Sequence, residues 1–172
     1  MRAASGRGSA VRHVGLGIAL LAMIGFAPAY AQQQETPPKP AQTWTVNCAS
    51  SGGNAELACT LSQVLIVKES GQRVLTVSVM KVAGAFTMRL GLPHGLNLPK
   101  GVDVWIDQAE RRNHPIVTAD KSGSYASIDL DAAAIAALKQ GTQLNVAVKA
   151  YSGDEIVLQV SLAGFTAGFA KL

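Results

Sequence analysis

This sequence predicts an all-β fold, an antiparallel sandwich with one short helix near the C-terminal third, on three observations. Apolar residues recur at every second position through most of the chain after Trp44, which marks strands with one buried face. Turn-forming clusters, "ESGQR", "PHGLNLPKG", "DKSGS" and "SGDE", separate these runs. Many short strands at such spacing pack as two antiparallel sheets rather than alternating with long helices. One segment, "DAAAIAALKQG", breaks the rhythm and follows a helical one.

The chain opens with Arg2, Arg7 and Arg12 and no acid, then the apolar run "VGLGIALLAMIGF" over residues 14–26, then "APAYA". A basic start, a short apolar middle and small residues at Ala29 and Ala31 predict a secretory signal peptide over residues 1–31, cleaved after Ala31. The apolar run is shorter than the roughly 20 residues of a membrane-spanning helix, so no transmembrane helix is expected in the mature chain. No cysteine follows the run, so a lipoprotein anchor is not indicated. Of 15 lysines and arginines, three belong to this leader, leaving 12 against 11 acidic residues. The near-neutral remainder gives a nucleic-acid partner no electrostatic footing. Residues 32–42, "QQQETPPKPAQ", are too polar and proline-rich to bury a core and read as a flexible lead. Residues 43–172 are then a single domain.

Cys48 and Cys59 flank "ASSGGNAELA". Zinc would want four ligands, and no second Cys or His cluster completes a set. A thioredoxin-like pair has two residues between its cysteines, against ten here. In an exported chain the remaining reading is a disulfide. Trp44 and Val46 share parity with Cys48, and Leu61, Leu65 and Val67 with Cys59. Both sulfurs are therefore expected to point inward from two strands of a hairpin turned at Gly52 and Gly53, a staple contributing about 2 to 3 kcal/mol.

The same parity predicts buried sets at Leu75, Val77 and Val79; at Phe86, Met88, Leu90 and Leu92; and at Ala126, Ile128 and Leu130. It continues at Leu144, Val146 and Val148 and at Ile156, Leu158, Val160 and Leu162. In "DAAAIAALKQG" Ile135 and Leu138 lie three apart, with Asp131 near the start, Lys139 in the last turn and Gly141 as the stop, the pattern of a short helix bridging strands. Phe165 and Phe169, four apart, fit a last helical turn docked on the sheet.

The chemistry-bearing residues form no catalytic pattern. Nucleophilic catalysis needs a base and an orienting acid around a Ser or free Cys; both cysteines are expected to be bonded, and no serine is marked out. His94 and His114 sit in turn-like "LPHG" and "NHP", and with Asp103, Asp107 and Glu110 show no metal-ligand spacing. No cofactor or metal is therefore expected. Trp44 and Trp105 fall on predicted strands and read as core or half-buried surface. "DQAERRNHP" reads as a solvated connection, or else as a contact loop over residues 108–114 presenting Arg111, Arg112 and His114 to a partner.

Four stretches resemble the invasion-associated locus B (IalB-like) family of alphaproteobacteria. These are Trp44-x-Val46-x-Cys48 with Cys59 and Gln63; "GLPHGLNLPKGVDVWID"; "LDAAAIAALKQG"; and the ending "SLAGFTAGFAKL". The resemblance implies an immunoglobulin-like sandwich and an exported protein linked to host-cell entry, with no established enzymatic activity. Relatives commonly carry a second cysteine pair before the short helix; the matching positions here are Ala119 and Ser124. That turn is expected to rely on packing and Gly123 alone.

Two functional expectations follow. The first is a non-enzymatic module that binds an envelope or host protein, located in the periplasm or at the outer membrane or cell surface. The alternative is a periplasmic structural or chaperone-like factor that binds envelope components.

Overall fold

The computed structural model describes residues 43–50 and 57–172. The expected leader with Ala29 and Ala31, the lead, and the glycines Gly52 and Gly53 lie outside the described residues. Among the described residues ten strands form two antiparallel sheets. In order they are β1 (Thr45–Ala49), β2 (Ala58–Ile66), β3 (Arg73–Val82), β4 (Ala85–Leu92), β5 (Val102–Ile106), β6 (Arg112–His114), β7 (Ile116–Asp120), β8 (Gly123–Leu130), β9 (Gln143–Lys149) and β10 (Glu155–Ser161). Helix α1 (Ala132–Gln140) joins β8 to β9, and a short α2 (Phe165–Phe169) follows β10. The larger sheet has the order β1-β2-β3-β4-β8-β7 and the smaller β10-β9-β5-β6. The architecture is the expected immunoglobulin-like sandwich, with a strand order of its own that begins as a four-strand meander.

Period-two burial holds best in the central strands. Leu61, Leu75, Val77, Val79 and Leu90 of one sheet and Val102, Val146 and Val160 of the other are all 0% exposed or nearly so. Their transfer from water, at about 25 cal/mol per Å² of apolar surface, is what holds the layers together. At the margins the pattern fades. Ile156, expected inside, is 42% exposed on the edge strand β10. On β9 the outward Asn145 and Ala147 are buried too, as befits a strand paired on both sides.

Cys48 and Cys59 are bonded and face each other directly across β1 and β2, with Cα atoms 4.0 Å apart. That spacing belongs to the non-hydrogen-bonded type of antiparallel pair, where side chains come closest. The expectation of two inward sulfurs needs correction: Cys59 is half-buried and Cys48 exposed. Burial falls along β1 from Trp44 to Cys48, so the bridge closes the end of the inner face where it opens to solvent.

The turn between β7 and β8 also differs from expectation, because Gly123 does not hold it alone. The Arg73 guanidinium donates to the Ser122 carbonyl at 2.6 Å, and a His94 ring nitrogen lies 3.3 Å from the Lys121 carbonyl. Asp120 accepts from the Ser122 amide and the Tyr125 hydroxyl. Ala119 and Ser124 are direct cross-strand partners, one step out from the two-residue turn, where Cβ atoms of an antiparallel pair approach closely. The double variant Ala119→Cys with Ser124→Cys is therefore expected to oxidise spontaneously and to gain about 1 to 2 kcal/mol, limited by so short a loop. Free-thiol titration and the melting temperature check this; persistent thiols or a lowered melting temperature would refute the pairing.

Helix α1 starts where the Asp131 carboxylate accepts from the Ala134 amide at 2.7 Å, an N-cap satisfying a donor the helix leaves open. It ends at Gly141, whose amide donates to the Ala137 carbonyl. Leu138 is buried and Ile135 half-buried against the core. Among the described residues no helix is long and apolar enough to cross a membrane.

Candidate functional site

The charged connection predicted between residues 107 and 114 is anchored more firmly than a solvated loop. Asp107 adopts a left-handed φ of 49°, and its carboxylate accepts from the Thr142 hydroxyl, the Thr142 amide and the Gln143 amide at the start of β9. Those donors, the Thr142 hydroxyl foremost, hold the Asp107 carboxyl below the usual carboxylate range, against a smaller opposing effect of burial. Its backbone amide also donates to the Gln143 carbonyl. Asp107 thus belongs to the frame rather than to a contact patch.

Beyond this anchor the two adjacent arginines part. The Arg111 guanidinium lies 4.1 Å from the centroid of the Trp105 ring and pairs with Glu155 at 3.1 Å. Trp105 has the parity opposite to buried Val104, so this cluster stands on the outer face of the smaller sheet. Arg112 and His114 instead pair with Val104 and Val102. Directly opposed residues of an antiparallel pair share a face, which puts both on the inner side, at the open edge of the sandwich. The expectation that one turn presents both arginines together is corrected for that reason: Arg112 begins β6 opposite Val104, whereas Arg111 precedes the strand and lies over Trp105.

Arg112 and His114 border a cleft of about 450 Å³ between the sheets. Its floor is apolar, from Met88, Val104, Ile128, Leu130, Leu138 and Leu144. Helix α1 borders it with Ala133, Ala134 and Ala137, of which Ala134 is half-buried and Ala133 and Ala137 stand exposed at the rim; side chains this small leave the gap open. Glu110 joins Arg112 at the mouth. Outside the β5–β6 ladder, the side chains of Arg112, Glu110 and His114 make no hydrogen bond or ion pair with a described residue. Burial, and secondarily the Arg112 charge, push the His114 imidazole below its ordinary range, with Asp103 opposing weakly, which favours the neutral ring. Asp131 also lines the cleft but its carboxylate is engaged in the helix cap.

Among the described residues no three His, Cys, Asp or Glu side chains gather as a metal site. His94 is engaged at the Lys121 carbonyl. Trp44 is core: 8% exposed, its ring set edge-on to Phe165 at 5.0 Å and its indole N–H donating to the Ser161 carbonyl. Sequence reasoning missed the partners Glu155 and Trp105 for Arg111, because they come from other strands. It also missed the three alanines as cleft lining; their recurrence at helical spacing on one side of α1 was the available signal.

Residues 44–172 match the family model described as "Invasion associated locus B (IalB) protein". The chain is 34% identical over 156 residues to the invasion protein B homolog of Brucella abortus strain 2308, covering 90% of this chain and 89% of that protein. The homolog in B. abortus biovar 1 (strain 9-941) matches with the same identity and coverage. The crystal structure of invasion associated protein B from Bartonella henselae superimposes with a TM-score of 0.67 at 22% identity, covering 77% of this chain and 92% of that one. That likeness shows a shared fold. With the sandwich, the bonded cysteine pair and a family match running from Trp44 to the last residue, this chain belongs to the invasion-associated locus B family.

Proposed function

We propose that this is an exported, non-enzymatic protein of the bacterial envelope that works by binding a protein partner at the host interface. The observation that carries the reading is the cluster of Trp105, Arg111 and Glu155 on the outer face of the smaller sheet. Trp and Arg are the residue types that dominate protein contacts, and here the rigid strands β5 and β10 and the Asp107 anchor preorganise them, which lowers the entropy lost on binding. The leader composition supports export, and the relatives' names link the family to invasion. The bonding of both cysteines removes the thiols as nucleophiles.

Arg111→Glu is expected to lower host-cell association several-fold while stability changes by no more than about 1 kcal/mol, since the Arg111–Glu155 pair is exposed. Arg112→Glu, on the other face, is expected to leave association unchanged. Adhesion assays at matched expression, with thermal melts of both variants, check this; equal association by wild type and Arg111→Glu would reject the patch. Protease treatment of intact cells against spheroplasts separates a surface location from the periplasmic, chaperone-like alternative.

A further inference from the structure

We infer that the cleft between the sheets binds a single-chain amphiphile with a carboxylate head, the apolar chain lying under α1 and the carboxylate held by Arg112 and His114. Three observations converge. The volume, about 450 Å³, falls within the usual range for small-molecule sites, roughly 300 to 1,000 Å³. It suits one chain rather than a two-chain lipid. The floor offers Met88, Ile128 and Leu144, and the alanines of α1 leave open the space that larger residues would close. The mouth holds a guanidinium with no ion pair among the described residues, the fork that matches a carboxylate with two parallel hydrogen bonds.

The acids at the mouth do not reverse this sign. Asp131 is engaged with the Ala134 amide, and Asp129 projects to the opposite face, where Thr87 donates to it. Glu110 alone competes for Arg112, and it is exposed and free to turn toward water. His114, half-buried and on the same inner side as Arg112, has its neutral ring favoured by burial and adds a hydrogen bond to the head. The protein-binding reading rests on Arg111 and Glu155 on the opposite face of the sheet; Trp105, of outward parity, also borders the cleft.

The test titrates the full exported chain, stripped of co-purified lipid, with laurate, dodecanol and dodecylamine below their micelle concentrations. Calorimetry is expected to show one saturable laurate site, with dodecanol at least tenfold weaker and dodecylamine weaker still. Arg112→Ala should cost laurate tenfold or more and leave dodecanol unchanged, which a purely structural arginine would not do. Glu110→Gln should tighten laurate. Ala137→Leu should abolish binding of both chains without lowering the melting temperature, because it fills the cleft. Absence of saturable laurate binding, equal affinity for all three heads, or an unaltered Arg112→Ala variant would overturn the inference. So would sedimentation with phosphatidylglycerol vesicles in place of laurate binding, which would assign the arginine to a membrane surface.

Discussion

Phe165→Ala is expected to destabilise the domain by about 3 to 5 kcal/mol, the range for deleting a buried aromatic ring. Phe165 is 0% exposed. Its ring meets Trp44 edge-on at 5.0 Å and Phe169 at 5.7 Å, and Phe169 reaches Phe86 on β4 at 4.6 Å. The chain of rings ties the C-terminal turn to Trp44, the residue just before β1, and to β4, while Gly168 lies directly against Leu61. Removing the central ring leaves a cavity that neither Trp44, held through its indole N–H by the Ser161 carbonyl, nor the short α2 can collapse to fill. Urea unfolding followed by tryptophan fluorescence should show a lower midpoint with an unchanged slope. A loss under about 1 kcal/mol would mean that α2 is peripheral to the core.

Gly123→Ala is expected to cost about 3 kcal/mol or more, unusual for the addition of one methyl group. At Gly123 φ is 145°, a conformation side chains of L-residues rarely adopt. A Cβ there would lie 2.2 Å from the Leu92 carbonyl oxygen of the adjacent strand. A backbone oxygen in a sheet cannot rotate away as a side chain can. Relief therefore requires β4 and β8 to separate where Leu92 pairs with Ser124, loosening the turn that Arg73 and His94 hold. Loss of amide protection at the β4–β8 end, with a lowered urea midpoint, is the expected result; a variant as stable as wild type would refute the close approach.

The interior strands were legible because a sheet with one buried face writes its burial directly into period two. Leu75, Val77 and Val79 could be assigned without knowing what covered them. The same held for the short helix that starts near Asp131, the disulfide and the docking of Phe165 and Phe169. The rule weakened at edges such as Ile156 and Cys48, where burial depends on how far the opposite sheet extends and not on the strand's own pattern.

Local order and covalent pairing, then, were determined by the sequence itself: an antiparallel sandwich, one short helix and a bridge from Cys48 to Cys59. Only the tertiary structure decided the site. Gly141 reads as a plain helix stop, yet it is extended, and a Cβ there would strike Ile106 at 2.4 Å; the requirement comes from packing. Asp107 reads as a surface charge, yet Thr142, just before β9, and Gln143, its first residue, supply donors from 35 and 36 residues away. Arg111 and Arg112 read as one patch, yet a strand beginning at Arg112 turns one toward Trp105 and the other into the cleft. Backbone periodicity is a property of neighbours in sequence, whereas a site is made of side chains that meet only after distant strands have paired.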